Sequence, residues 1–179
     1  MPTIKNKTII SSTDLFTIKK LDIEFKNNVH RKYEVVSGKG HGAVMIIPFE
    51  KNTFYFIKEF AAGINDYAIS FPKGRIDDGE SMFEAANREL QEEIGYKSDM
   101  LSHIFTLSLA PGYIDHDTHI ILAQELSVSK LDGDEPEELE VIQCELSKVD
   151  TLIQEKKNNM ESRAIACVYL FQNHINLKK

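Results

Sequence analysis

The stretch that most constrains the chain is Gly74 to Tyr96, GRIDDGESMFEAANRELQEEIGY. A glycine-containing turn runs into a segment in which Phe83, Ala86, Leu90 and Ile94 recur at three- and four-residue steps. That spacing gives a helix one apolar face. Ser81 and Glu84 have the S-x-x-E relation of a capping box, which starts a helix by satisfying two of its free N–H groups. Gly95 stops it, because glycine accepts the left-handed conformation at a helix end. On another face lie Glu89, Glu92 and Glu93. Residues three and four apart are helix neighbours, so these carboxylates share one spot and repel one another. On an ordinary surface helix solvent would disperse the charge, with Arg88 bridging to Glu84 or Glu92. Otherwise a cation sits between them, and hard oxygen donors at this density favour Mg²⁺ or Mn²⁺ over zinc.

The chain has 179 residues, enough for one domain and an appendage. It is 42% hydrophobic and 27% charged, the balance of a soluble globular protein. A formal net charge of −7 argues against a broad nucleic-acid interface, which needs a basic face. The two cysteines, Cys144 and Cys167, make neither a disulfide framework nor a metal site and read as buried packing residues. No apolar run reaches membrane-spanning length, and the first residues lack the apolar core of a signal peptide. No membrane partner and a reducing cytoplasm are the expectation.

Taken in order, residues 1–12 read as a polar lead-in. Residues 13–40 alternate apolar and polar side chains and predict antiparallel strands with a turn near Asn27-Asn28. So small a sheet is marginal alone and must pack on the rest of the chain or on another subunit. Gly38-Lys39-Gly40-His41-Gly42 is a joint; it lacks the spacing of a P-loop. The boundary drawn there separates residues 1–42, an N-terminal β subdomain, from a main domain of residues 43–179. Strands are expected at Ala43–Pro48, Thr53–Lys58, Tyr67–Phe71, Met100–Leu109, Thr118–Glu125 and Val141–Leu146, with helices near 147–154 and 161–173. Ala110-Pro111-Gly112-Tyr113 signals a turn and Ile114–Asp117 continue it as loop. His116 and His119 flank aspartates, but no third ligand spacing supports a metal there, and a loop edge accounts for them. KLDGDEPEELE, residues 130–140, is by default a solvated acidic loop. Strands, one acidic helix, further strands and terminal helices make an α/β (α+β) fold with a mixed sheet.

Gly74, Glu80, Arg88-Glu89-Leu90, Glu92-Glu93, Gly95 and Tyr96 reproduce the spacing of the Nudix box, with Tyr96 the one departure, since an aliphatic residue is usual there. The chain therefore resembles the Nudix hydrolases, which cleave a nucleoside diphosphate linked to another group. The resemblance implies a mixed sheet in an α-β-α sandwich with the box as loop-helix-loop. Pro111, sixteen residues past Gly95, matches the ADP-sugar pyrophosphatase branch, whose N-terminal β subdomain is often exchanged across a homodimer. AVMIIPF, IKEFAAG, FPKGRIDDGES, LSLAPGY and DGDEPE narrow the resemblance to the bacterial NudE-type ADP-compounds hydrolases. It implies small-molecule substrates, ADP-ribose, NADH and diadenosine polyphosphates, cut to release AMP. Phe71-Pro72-Lys73-Gly74 and Tyr113 also resemble diadenosine polyphosphate hydrolases, which leaves a longer phosphate chain as the alternative. A non-catalytic nucleotide sensor predicts a damaged box, and here every acidic position is intact.

By the same resemblance Glu89 and Glu93 are the principal Mg²⁺ ligands, with Glu92 beside them and the Lys73 carbonyl as a main-chain ligand. Such a cation would also invert the local potential, which an acidic chain needs if it is to accept an anionic substrate. Arg88 would orient the glutamates and Glu80 support them, with Gly74 and Gly95 bounding the box. The general base is expected from the acidic loop, Glu135 or Glu137, or else from a box glutamate. Adenine is expected on an aromatic such as Phe16, Tyr33 or Phe60, with Lys58 near phosphate and Pro111 and Tyr113 at the substrate.

Overall fold

A computed structural model of the chain describes residues 1–38 and 40–177. Of the glycine joint, Lys39 lies outside the described residues. The apolar run from Val44 to Ile47 is buried on both sides of β4 (Ala43–Glu50), which requires a layer on each face. β4 lies inside a seven-stranded mixed sheet ordered β11 (Glu140–Glu145), β5 (Thr53–Ala61), β4, β10 (Asp117–Val128), β8 (Tyr96–Ser108). Two short strands attach to it, β6 (Asp66–Ser70) to β5 and β7 (Lys73–Arg75) to β4. β10 runs parallel to β4 and antiparallel to β8.

Strand alternation sends Val44, Ile46 and Ile57 to one face, against Ala85, Ala86, Leu90 and Ile94 of α1 (Met82–Glu93) and its end. It sends Met45, Ile47, Phe54 and Phe56 to the other, against α2 (Val149–Glu155) and α3 (Ser162–Leu177). The result is the expected α-β-α sandwich. Cys144 and Cys167 are both buried. No helix is long and apolar enough to cross a membrane.

The N-terminal sheet is ordered β1 (Thr3–Ser12), β2 (Phe16–Glu24), β3 (His30–Gly38), β9 (Ile114–Asp115). Its first strand corrects the polar lead-in expected for residues 1–12. β1 is exposed along its whole length, so its pairing with β2 rests on the hydrogen-bond ladder and leaves no buried face for a sequence pattern to reveal. β9 is a second correction. Residues 114–115, read as loop, pair in parallel with Val36 and Ser37 of β3 and join the N-terminal sheet to the segment that follows β8. The turn between β2 and β3 falls at Lys26–Asn28, with Asn27 and Asn28 at positive φ.

A third correction concerns α1. Phe83 is 40% exposed and does not pack inward. The small pair Ala85-Ala86 lets the helix sit close on the sheet, and the inward positions next along are taken by Glu89 and Glu93.

Phe54 is fully buried, with ring centroids of Phe49 and Phe171 at 5.0 Å and those of Phe56 and Phe71 at 5.9 Å. Phe54→Ala is expected to destabilise the protein by about 3–5 kcal/mol, read as a lower urea midpoint with an unchanged slope.

Candidate active site

The site starts from how α1 is capped. The Ser81 hydroxyl accepts from the Glu84 N–H at 3.3 Å, and the Glu84 carboxylate accepts from the Ser81 N–H at 2.8 Å. Glu84 is thus spent on the cap, and Arg88 turns elsewhere. Its Nε and Nη2 donate to the two oxygens of Glu80 at 3.0 and 3.1 Å. Nη2 also donates to the Arg75 carbonyl at 2.9 Å, while Nη1 donates to Glu89 at 2.6 Å and Glu92 at 3.0 Å. All five guanidinium N–H groups have partners, and the planar fork sets three carboxylates around one cation. Glu80 also accepts from the Asp77 N–H at 3.1 Å, which fastens the loop before the helix.

Glu89 and Glu93, at 9% exposure each, are the charged side chains among the buried described residues. Glu93 accepts from the Lys73 N–H at 3.0 Å. The Glu89 carboxylate lies where a side chain on Gly74 would stand, so a Cβ there would overlap it. Any side chain at position 74 would therefore have to displace that carboxylate. Burial pushes Glu89 up to about 7, against the pull of Arg88. Burial also raises Glu93 well above the usual carboxylate range, with Lys73 opposing.

Tertiary structure adds a residue the sequence reading passed over. Oxygens of Glu59, Glu93 and Glu135 lie within 4.8 Å of one another, and Glu59 also pairs with the Lys73 ammonium. Among the described residues no other three His, Cys, Asp or Glu side chains gather so closely. In the I-K-E-F run of β5, Glu59 follows Ile57 by two and so faces α1 with it. An acid at an inward strand position was the available signal. Clustered hard oxygens, one of them on the buried and poorly compensated Glu93, fit a divalent cation.

The acidic loop separates its two candidates. Its start is tied to α1, with Ser129 donating to the Gly95 carbonyl at 3.0 Å and to Gln91 at 2.8 Å. Glu135 then faces Glu59 and Glu93, and burial with the charges of Glu59 and Asp134 raises its carboxyl. Glu137 instead accepts from the Tyr67 hydroxyl at 3.2 Å. Beside the carboxylates this loop encloses a cleft of about 520 Å³, lined by Glu92, Glu93, Glu135, Leu131 and Val141 among others.

Other expected contacts are not gathered here. Lys58 and Phe60 point to the opposite face of β5 from Glu59, where Lys58 pairs with Glu140 at 2.9 Å and Phe60 packs edge-on against Tyr67 at 5.8 Å. Phe16 opens β2 and is exposed; Tyr33 sits in β3, 6.2 Å from Phe25. Pro111 is exposed, and Tyr113 is exposed with its carbonyl accepting from the Val36 N–H at 2.8 Å. His119 is engaged with Thr106 at 3.0 Å and joins no metal-like cluster.

Comparison with known proteins matches residues 39–167 to the NUDIX domain and residues 2–34 to the NudE-type Nudix hydrolase N-terminal domain. The chain is 39% identical to the ADP compounds hydrolase NudE of Escherichia coli, over 94% of this chain and 90% of that protein. It is 30% identical to an ADP-ribose pyrophosphatase of Bacillus subtilis, over 95% of each. A crystal structure of an ADP compounds hydrolase superimposes with a TM-score of 0.88 at 37% identity, covering 99% of this chain and 95% of that one.

The titration of Glu89 has a consequence for stability without metal. Its folded pKa, about 7, lies above the ordinary 4.5, so folding holds the proton more tightly. The penalty is absent below 4.5, grows as pH rises towards 7 and is complete above it. Removing the charge with Glu89→Gln should therefore help more at pH 8 than at pH 5. In chelator, the stability difference between variant and wild type is expected to move in the variant's favour by about 2.5 kcal/mol across that range, measured by urea unfolding at each pH.

Proposed function

The chain belongs to the Nudix hydrolase family, and from that premise we propose that it hydrolyses the pyrophosphate of ADP-linked compounds, ADP-ribose foremost, to AMP and a second phosphate ester. The observation that carries this reading is the convergence of Glu59, Glu93 and Glu135 from a strand, a helix and a loop, with Glu89 buried one turn back on the same helix. The relatives named for ADP compounds and ADP-ribose align over nearly the whole chain, which supports the substrate class.

Mg²⁺, when bound, would neutralise the pyrophosphate oxygens and acidify the attacking water. Glu89 and Glu93 would hold it, with Glu92, Glu59 and the Lys73 carbonyl at its margin. Arg88 keeps the box carboxylates in one arrangement, so little reorganisation is needed when the substrate arrives. Glu135 is assigned as general base: it takes the proton from water as the oxygen attacks phosphorus and the phosphate-to-phosphate bridge breaks. Its position among the carboxylates favours it over Glu137, which is engaged by Tyr67. Phe16 and Tyr33 lie on the N-terminal sheet, where adenine would stack if that sheet served the site of a second copy in a homodimer. A cytoplasmic protein with no nucleic-acid or membrane partner completes the reading.

The test is Mg²⁺-dependent product analysis on ADP-ribose, NADH and diadenosine tri- and tetraphosphate side by side. AMP and ribose 5-phosphate from ADP-ribose at the highest kcat/KM is the expected result; a clear preference for the tetraphosphate would overturn it in favour of the longer phosphate chain. Glu93→Gln is expected to abolish turnover with the fold intact. Glu135→Gln should lower kcat about 10²–10³-fold, and Glu137→Gln less than about tenfold. Gly74→Ala should lower activity while replacing no ligand, because it displaces the Glu89 carboxylate; a near-normal rate would sink the assigned place of Glu89.

A further inference from the structure

Lys58, Phe60 and Tyr67 lie across β5 from the carboxylate cluster, yet Lys58 and Tyr67 touch the acidic loop. Tyr67 donates its hydroxyl to Glu137 at 3.2 Å. Lys58 pairs with Glu140 at 2.9 Å and stands over the Tyr67 ring at 5.3 Å. Phe60 packs edge-on against that ring at 5.8 Å. The loop is therefore fastened at two ends. Its first half hangs from α1 through Ser129 and through the Leu131 N–H, which donates to the Gln91 carbonyl at 3.2 Å. Its second half hangs from β5 and β6 through Glu137 and Glu140. Glu135 is suspended between these anchors, opposite Glu59 and Glu93.

We propose that Tyr67, seated on Phe60 and Lys58, is a clasp that positions Glu135 for the reaction by holding Glu137. Pro136 makes the clasp effective at a distance of two residues. A proline fixes its own φ and restricts the residue before it to extended conformations. Once Glu137 is held, the backbone of Glu135 has little freedom left, and its carboxylate stays over the cluster. The clasp residues are positioning residues and touch no reacting atom. This also gives Lys58 and Phe60 a role that does not require contact with substrate. The inference rests on Glu135 being the base assigned above.

Tyr67→Phe removes the hydroxyl and keeps the ring on Phe60. It is expected to lower kcat about three- to tenfold, the effect of one hydrogen bond, with KM and the thermal midpoint unchanged. Amide exchange in residues 130–139 should quicken. In a Glu135→Gln background the same change should cost nothing further, because the base it positions is gone. Equal losses in both backgrounds would mean a general structural effect and would overturn the clasp. So would a raised KM at unchanged kcat, which would make the cluster a substrate contact, or unaltered loop exchange. Wild-type protein inactive on every ADP-linked compound would defeat the hydrolase reading instead, and the exchange measurement would still decide whether Tyr67 holds the loop.

Discussion

The order of the helix and the turn before it depends on the guanidinium of Arg88. Three carboxylates, Glu80, Glu89 and Glu92, converge on one cation whose five donors are all engaged. Without it, acids stacked at helical spacing would repel and splay. With it, Glu80 and the Arg75 carbonyl tie the turn before the helix to the helix itself, and Glu89 and Glu92 are held at a set angle. A lysine would deliver the charge and lose the geometry, because only a planar fork serves several oxygens in fixed directions.

Arg88 does not discharge the site. Glu93 lies beyond its reach and, like Glu89, is buried beside Ala85, Ala86 and Leu90 on the inward side of α1. Burying a carboxylate that lacks a full partner is costly, and proteins accept such a cost where an ion or substrate relieves it. The rise of Glu89 and Glu93 above ordinary carboxylates, with burial as its main cause, expresses that cost. A cation that binds the folded site alone would return the deficit as stability. The strain is local, and the two aromatic and aliphatic cores on either face of the sheet carry the fold.

Strand alternation then sorts neighbours into different jobs. Lys58, Glu59 and Phe60 are consecutive, but Glu59 faces α1 and the cluster while its neighbours face Tyr67 and the far end of the acidic loop. The loop crosses the end of the sheet and is held from both sides. A bend at Pro136-Glu137, not strand alternation, separates Glu135 from Glu137: one joins the carboxylates, the other the tyrosine.

Much of this was legible in the sequence because it is local. The capping box at Ser81 and Glu84, the stop at Gly95, the approach of Glu89 and Glu92 to Arg88 and the two-sided burial of β4 follow from spacings of one to seven residues. β1 was missed because an exposed strand carries no hydrophobic period, and β9 because two residues are too short to show one. Phe83 was placed inward because periodicity reports which residues share a face and not which face the sheet accepts. The sequence alone determined the family and the acidic helix. Only the tertiary structure decided that Glu59 joins the cluster, that Glu135 and not Glu137 faces it, and that Gly74 makes room for Glu89. Those facts join residues fifteen or more apart in the chain, and packing and hydrogen bonds across the sheet set such distances, not the local order of side chains.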